Sequence, residues 1–148
     1  MLRLTLLATL ALALTSSLTC AQEEEPAFET SLAYAQVEEV VVTVRDDGRY
    51  DVSVTVRHRD EGWDHYADAW QVVDPDSGEV YGERELLHPH DAEQPFTRSL
   101  RGLELPDGVT VFTVRARCNV HGFGGREVTV DLSEAEGPSH TVRDVAQE

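Results

Sequence analysis

Between Tyr50 and Val56 the chain alternates without a break, Tyr50, Val52, Val54 and Val56 against Asp51, Ser53 and Thr55. Side chains on an extended chain point to opposite faces in turn, so this pattern defines a strand with one face in a core and the other in water. Similar short segments recur, each bounded by turn residues. Val37–Val44 ends at Asp46-Asp47-Gly48. His65–Val73 carries Tyr66, Trp70 and Val72 at even spacing and ends at Asp74-Pro75-Asp76-Ser77-Gly78. Glu79–Leu87, Phe96–Leu103, Val109–Arg117 and Glu127–Leu132 complete the set, and Phe28–Tyr34 is a candidate edge strand. No helical period competes with this one. The expected fold is all-β, an immunoglobulin- or fibronectin-like antiparallel β-sandwich of about seven strands over residues 37–132, with Trp70 in its core.

The ends read differently. Residues 1–21 hold one charge, Arg3, then an apolar run from Leu4 to Leu14, then Thr19-Cys20-Ala21, which is the pattern of a secretory signal peptide cleaved after Ala21. Lipid attachment at Cys20 is the alternative, for which Ser17-Leu18-Thr19 is a poor approach. Residues 22–36 are expected as an acidic linker and 133–148 as an acidic tail. The apolar run is too short to span a bilayer and no later one is longer, so the expected location is periplasmic or secreted, without a transmembrane segment.

Twelve basic residues, all arginine, face 28 acidic ones, for a net charge of −16. Such a surface repels nucleic acid and anionic lipid, so nucleic acid is excluded as a partner. Once Cys20 is removed with the leader, Cys118 is the sole thiol, and no intramolecular disulfide can staple the domain.

In an antiparallel sandwich successive connections alternate between the two ends. The tight turns at 46–48, 74–78 and 104–108 share one end. The connections 57–64, 88–95 and 118–126 share the other and, with their flanks, hold His58, His65, His88, His90, Cys118 and His121; of the six histidines only His140 lies elsewhere. Imidazole and thiolate suit copper, zinc and iron, so the expected cofactor is a transition metal ion on His65, His88, His90, His121 and Cys118. His88 and His90 flank Pro89 and leave an extended segment on the same side, which suits chelation. His65 has Asp64 or Asp68 within reach as a carboxylate partner. His121 stands in the loop Gly122-Phe123-Gly124-Gly125, where glycine permits the tight backbone that brings it to Cys118. His58, at a strand end, reads as structural. Cys118 reads either as a ligand or, sharing the face of Val114 and Ala116, as a small buried hydrophobe beside a mostly histidine site.

Other chemistry finds little support. Asp60, Glu61, Asp64 and Asp68 lack the D-x-D-x-D-G spacing of a calcium loop, and there is no nucleophile elbow, phosphate-cradling loop or H-E-x-x-H.

Cys118-Asn119-Val120-His121-Gly122 resembles the C-N-x-H-G loop of superoxide reductases (desulfoferrodoxins), and His65-Tyr66-Ala67-Asp68-Ala69-Trp70 is similar to that family's H-Y-x-x-W segment, with one residue more before the tryptophan. On a regular strand that extra residue turns Trp70 to the opposite face. The resemblance implies an immunoglobulin-like sandwich with a mononuclear iron held by Cys118, His121 and His65. The family's further histidine, followed by proline, stands six residues before its H-Y; here His58 stands seven before and precedes Arg59. The family's N-terminal glutamate-lysine-histidine loop has no counterpart, since the chain has no lysine. Gly62-Trp63-Asp64-His65-Tyr66, Leu87-His88-Pro89-His90 and the loop 121–125 also resemble small exported bacterial proteins of unassigned function.

Three readings follow: an exported metal-binding domain, a superoxide reductase-like iron enzyme, and a metal-free module for adhesion or assembly.

Overall fold

The computed structural model describes residues 28–145; the expected leader, with Cys20, lies outside the described residues. Among the described residues there are nine strands: β1 (Gln36–Val44), β2 (Tyr50–Arg57), β3 (Ala67–Val73), β4 (Val80–Glu85), β5 (Phe96–Leu103), β6 (Val111–Cys118), β7 (Val128–Asp131), β8 (Glu136–Gly137) and β9 (His140–Asp144). They form two sheets, ordered β5-β2-β1-β9-β8 and β4-β3-β6-β7, that pack as a sandwich. The alternating valines of β1 and β2 meet Trp70, Phe96, Phe112 and Val114 in one core, where Val52, Val54, Val56 and Trp70 are fully buried. Among these residues no helix is long and apolar enough to cross a membrane.

Two strands were not expected. β8 and β9 come from the stretch read as a tail, and β9 lies parallel to β1, with Val40 opposite His140 and Val42 opposite Val142. Its sequence, His140-Thr141-Val142-Arg143-Asp144, has a single aliphatic residue and so no visible alternation. A neighbour's backbone amides supply the pairing instead.

Conversely, Phe28–Tyr34 is an irregular segment and not an edge strand. Gln36 organises it, reaching the carbonyls of Glu29, Ser31 and Tyr34 through Nε2 while its Oε1 accepts the Arg126 amide. The segment lies on the glycine loop. A Cβ on Gly124 would stand 2.9 Å from the Tyr34 ring, and one on Gly125 would stand 2.1 Å from the Ala35 carbonyl oxygen. These two glycines therefore admit a neighbouring segment, and only Gly122, at φ 71°, serves the turn between Cys118 and His121.

The ladders slip at four places: Glu38 of β1 and Asp68 of β3 are extra residues, Tyr81 is extra on β4, and two residues of β5, Arg101 and Gly102, stand against Asp51 of β2. Glu38 and Asp68 each meet an arginine, Arg57 and Arg117 in turn. The slip in β3 resolves the misplaced tryptophan. Ala67 pairs with Cys118, Ala69 with Arg117 and Trp70 with Ala116, so Asp68 is an extra residue on β3 alone. A bulge takes up one residue and restores the facing beyond it. Trp70 consequently stays in the core, and Asp68 turns outward to a two-point pair with Arg117 at 2.9 and 3.0 Å.

Candidate metal centre

β6 ends at Cys118, on the same inward face as Phe112, Val114 and Ala116, and the thiol is buried. At this end of the sandwich the inner face meets the loops. Burial does not part the thiol from the histidines: Cys118 Sγ lies 3.6 Å from His121 Nδ1. A two-way backbone bridge between Cys118 and Gly122 closes the turn that holds the pair, with N···O distances of 3.0 and 2.8 Å.

Asn119 fastens this turn to the preceding loop. Its amide donates to the Tyr66 carbonyl, its Oδ1 accepts the Tyr66 amide, and its Nδ2 donates to the Trp63 carbonyl. One residue thus docks the segment carrying His65 against the segment carrying Cys118 and His121. His65 Nε2 lies 3.3 Å from His121 Nδ1 as a result.

His58, read as structural, completes the cluster. Ligand atoms of His58, His65 and Cys118 all lie within 4.8 Å of one another, and among the described residues no other group of three or more histidine, cysteine or acidic side chains is so placed. His58 and Cys118 are buried, His65 is half-buried and His121 is exposed, so the centre opens to solvent on the His121 side.

Two consecutive acidic residues hold the imidazoles. Asp60 Oδ1 accepts from His58 Nδ1 at 2.6 Å, and Glu61 Oε2 accepts from His65 Nδ1 at 3.0 Å. His65 is left with Nε2 for the centre, the carboxylate–histidine arrangement that orients metal ligands, whereas His58 faces an acceptor at each ring nitrogen. The expected partners of His65 do other work, since Asp68 binds Arg117 and Asp64 is exposed. His58 Nε2 lies 3.0 Å from the Ala33 carbonyl. Ligation through Nε2 would give up that contact.

Burial pushes the Asp60 carboxyl up, but hydrogen bonds from His58 and from the amides of His90 and Ala67 outweigh it and hold the group below the ordinary aspartate range. Asp60 is therefore an ionised, enclosed carboxylate that ties three segments together. Nothing in its sequence neighbourhood distinguished it from the other acids of a strongly acidic chain.

The structure divides the cluster expected from the sequence. His65, His121 and Cys118 come together, joined by His58. His88 and His90 instead pair with each other, their ring centroids 4.5 Å apart, and reach the centre only through Asp60, whose Oδ2 accepts the His90 amide at 2.6 Å. His90 stacks on Phe96 at 3.8 Å and is buried, while His88 is exposed with Nδ1 on the Pro89 carbonyl.

The donor set fits a transition metal. Bonds of about 2.0–2.1 Å to nitrogen and about 2.3 Å to sulfur, meeting at the tetrahedral angle, place two nitrogens roughly 3.4 Å apart and nitrogen and sulfur roughly 3.6 Å apart; right angles would shorten these to roughly 2.9 and 3.1 Å. The observed edges are 3.3 Å between His65 and His121 and 3.6 Å between His121 and Cys118.

No family model matches the chain. It is 42% identical over 115 residues to a protein of Halomicrobium mukohataei described as a "Putative lipoprotein", a match covering 78% of this chain and 55% of that one, so the chain spans about half the length of this relative. Partial structural likeness extends to a variant of the superoxide reductase (neelaredoxin) of Archaeoglobus fulgidus, with a TM-score of 0.42, 18% identity and coverage of 66% of this chain and 89% of that one. The superoxide reductase (1Fe-SOR) of Giardia intestinalis gives a TM-score of 0.40 and 15% identity over 66% and 99% of the two chains.

Proposed function

We propose that the chain is an exported metal-binding domain of immunoglobulin-like build, holding one transition metal ion on His58, His65, His121 and Cys118. The observation that carries this reading is that one thiol and two imidazoles from two loops lie within 4.8 Å of one another, with a third imidazole, His121, beside His65 and Cys118 and with Asp60 and Glu61 on the Nδ1 atoms of His58 and His65. One sulfur, with the two edges at His121 near the tetrahedral values, suits zinc, ferrous iron or cuprous copper. Bound metal would displace the Ala33 carbonyl from His58 and hold Cys118 as a thiolate. The leader pattern supports export, and the name of the relative supports a lipid anchor, for which Cys20 is the available residue. Titration of the metal-free protein with zinc, ferrous and cuprous ions tests the reading: one ion per chain is expected, with a thiolate-to-metal absorption band for iron that Cys118→Ser abolishes. Binding that survives both Cys118→Ser and His121→Ala contradicts it.

A second reading is one-electron reduction of superoxide at iron in this centre. It is favoured by the match of His65-Tyr66 and Cys118-Asn119-x-His121-Gly122 to the superoxide reductase motifs, together with the exposure of His121, which leaves a small oxidant a path to the centre. Oxidation of the ferrous protein by superoxide, with formation of hydrogen peroxide, separates this reading from metal storage or a purely structural ion.

A further inference from the structure

A second set of groups lies beyond Asp60, outside the metal centre. A cavity of about 80 Å³ opens between the end of β4 and the loop before β5, lined by Arg84, Glu85, His88, His90 and Arg98 among others. Three buried nitrogens of residues that line it have no hydrogen-bond partner among the described residues: Arg84 Nε and both ring nitrogens of His90. Such atoms cost about 1–3 kcal/mol each when left unmet, which makes three of them on one small cavity unusual. The His90 ring cannot swing away to find water, because it stacks on Phe96 with only 9° between the planes.

The charges around the cavity indicate what it would hold. Two guanidinium groups and two imidazoles line it with one carboxylate, Glu85; Arg98 also pairs with Glu93 at 3.1 Å, and Asp60 Oδ2 stands 3.9 Å from His90 Nδ1. The His90 pKa lies below the ordinary histidine value because of burial first, then the nearby Arg98 and His88, which outweigh the opposite pull of Asp60 and Glu93. A metal cation would meet the two guanidinium groups, although His88 and His90 have chelating spacing. An anion would pair with Arg84 and accept from the unmet donors.

We propose that this cavity binds a small inorganic anion, of the size of a halide, sulfate or phosphate, on Arg84, His90 and Arg98. The volume admits such an ion and excludes a nucleotide or a sugar phosphate. The site stands apart from the metal reading and does not rest on it. Anion binding draws a proton onto His90, so that both ring nitrogens donate.

The test titrates the full chain separately with sodium chloride, sulfate and phosphate at fixed ionic strength, following the histidine ring resonances by NMR and the heat by calorimetry. Saturable binding of at least one of these ions at one per chain is expected, moving the His90 resonances and leaving those of His140 in place. Arg84→Gln should weaken binding at least tenfold, and His90→Gln likewise, with folding of each checked by its thermal transition. The proposal is overturned if none of the three ions saturates, if Arg84→Gln binds as tightly as the parent protein, or if zinc or cupric ion saturates the His88 and His90 resonances where the anions do not.

Discussion

Asp60 Oδ1 and His58 Nδ1 lie 2.6 Å apart with neither side chain reached by solvent. An ionised carboxylate so enclosed stands only because each of its oxygens is met, here by His58 and the Ala67 amide on one and by the His90 amide on the other. Asp60→Ala should cost about 3–5 kcal/mol in denaturant unfolding, the range for breaking a buried pair by removing one partner. Glu61→Ala, at an exposed position, should change stability by less than about 0.5 kcal/mol yet lower metal affinity roughly 10–100-fold, because His65 loses the partner that fixes its tautomer. A Glu61→Ala protein with unaltered affinity would show that the tautomer is set elsewhere.

The bulge at Asp68 explains how Trp70 remains in the core despite one residue too many after His65-Tyr66. Deleting Asp68 should let β3 pair with β6 in regular register. The tryptophan emission of that variant should report a buried Trp70 as before, and its metal stoichiometry should match the parent. Red-shifted emission from an exposed Trp70 would mean that the slip is not what sets the facing of the strand.

Gly125 has no room for a side chain, since an added Cβ would stand 2.1 Å from the Ala35 carbonyl oxygen. Gly125→Ala should therefore push residues 28–35 off the glycine loop, at a cost of about 1–3 kcal/mol, the usual penalty for overpacking. Proteolysis near Tyr34 should become faster. Gly48→Ala, where nothing lies within 4 Å and φ is 79°, bears only the backbone strain and should leave that proteolysis unchanged.

The turn at 74–78 carries a pH signature. Asp74 accepts the amides of Ser77 and Asp76 and the Tyr81 hydroxyl; the Ser77 amide first, then Tyr81 and the Asp76 amide, pull its pKa down to about 2, and the bond to Asp74 is the main cause that pushes Tyr81 up to about 12. A carboxyl whose folded pKa lies below its unfolded one contributes stability that is complete above about pH 4 and fades as pH falls toward 2. Tyr81, raised in the fold, contributes stability that is complete below about pH 10 and is lost as pH rises through 12. Asp74→Asn should flatten the acid limb of the stability profile between pH 4 and 2, and Tyr81→Phe should flatten the alkaline limb above pH 10. An acid limb of unchanged slope in Asp74→Asn would assign it to other carboxylates.

Much of the sandwich was legible because its strands bury one face each, and Val52, Val54 and Val56 announce that face at a period of two. β9 was not legible, since it is joined through backbone pairing to β1 and needs no alternation. The pole that gathers the histidines followed from strand count and connection parity, which is why His65, His121 and Cys118 could be expected side by side. Within that pole the sequence set His58 aside as structural and grouped His88 and His90 with the thiol, whereas His58 is the one that lies beside it. That choice depends on Asp60, which binds a histidine ring on one oxygen and a histidine amide on the other, and no spacing rule reveals which is which. The roles of Asn119 and Gln36 were hidden for a similar reason: both act by matching backbone groups of distant segments, and such matches exist only once the chain has folded.

The central claim, one metal ion on three imidazoles and one thiolate, is tested most directly by X-ray absorption at the metal edge on protein purified without a histidine tag. We expect a single sulfur scatterer at about 2.3 Å and three nitrogen scatterers at about 2.0–2.1 Å, with the sulfur shell lost in Cys118→Ser. A shell of nitrogen and oxygen alone, or one unaltered by Cys118→Ser and His121→Ala, would contradict the account.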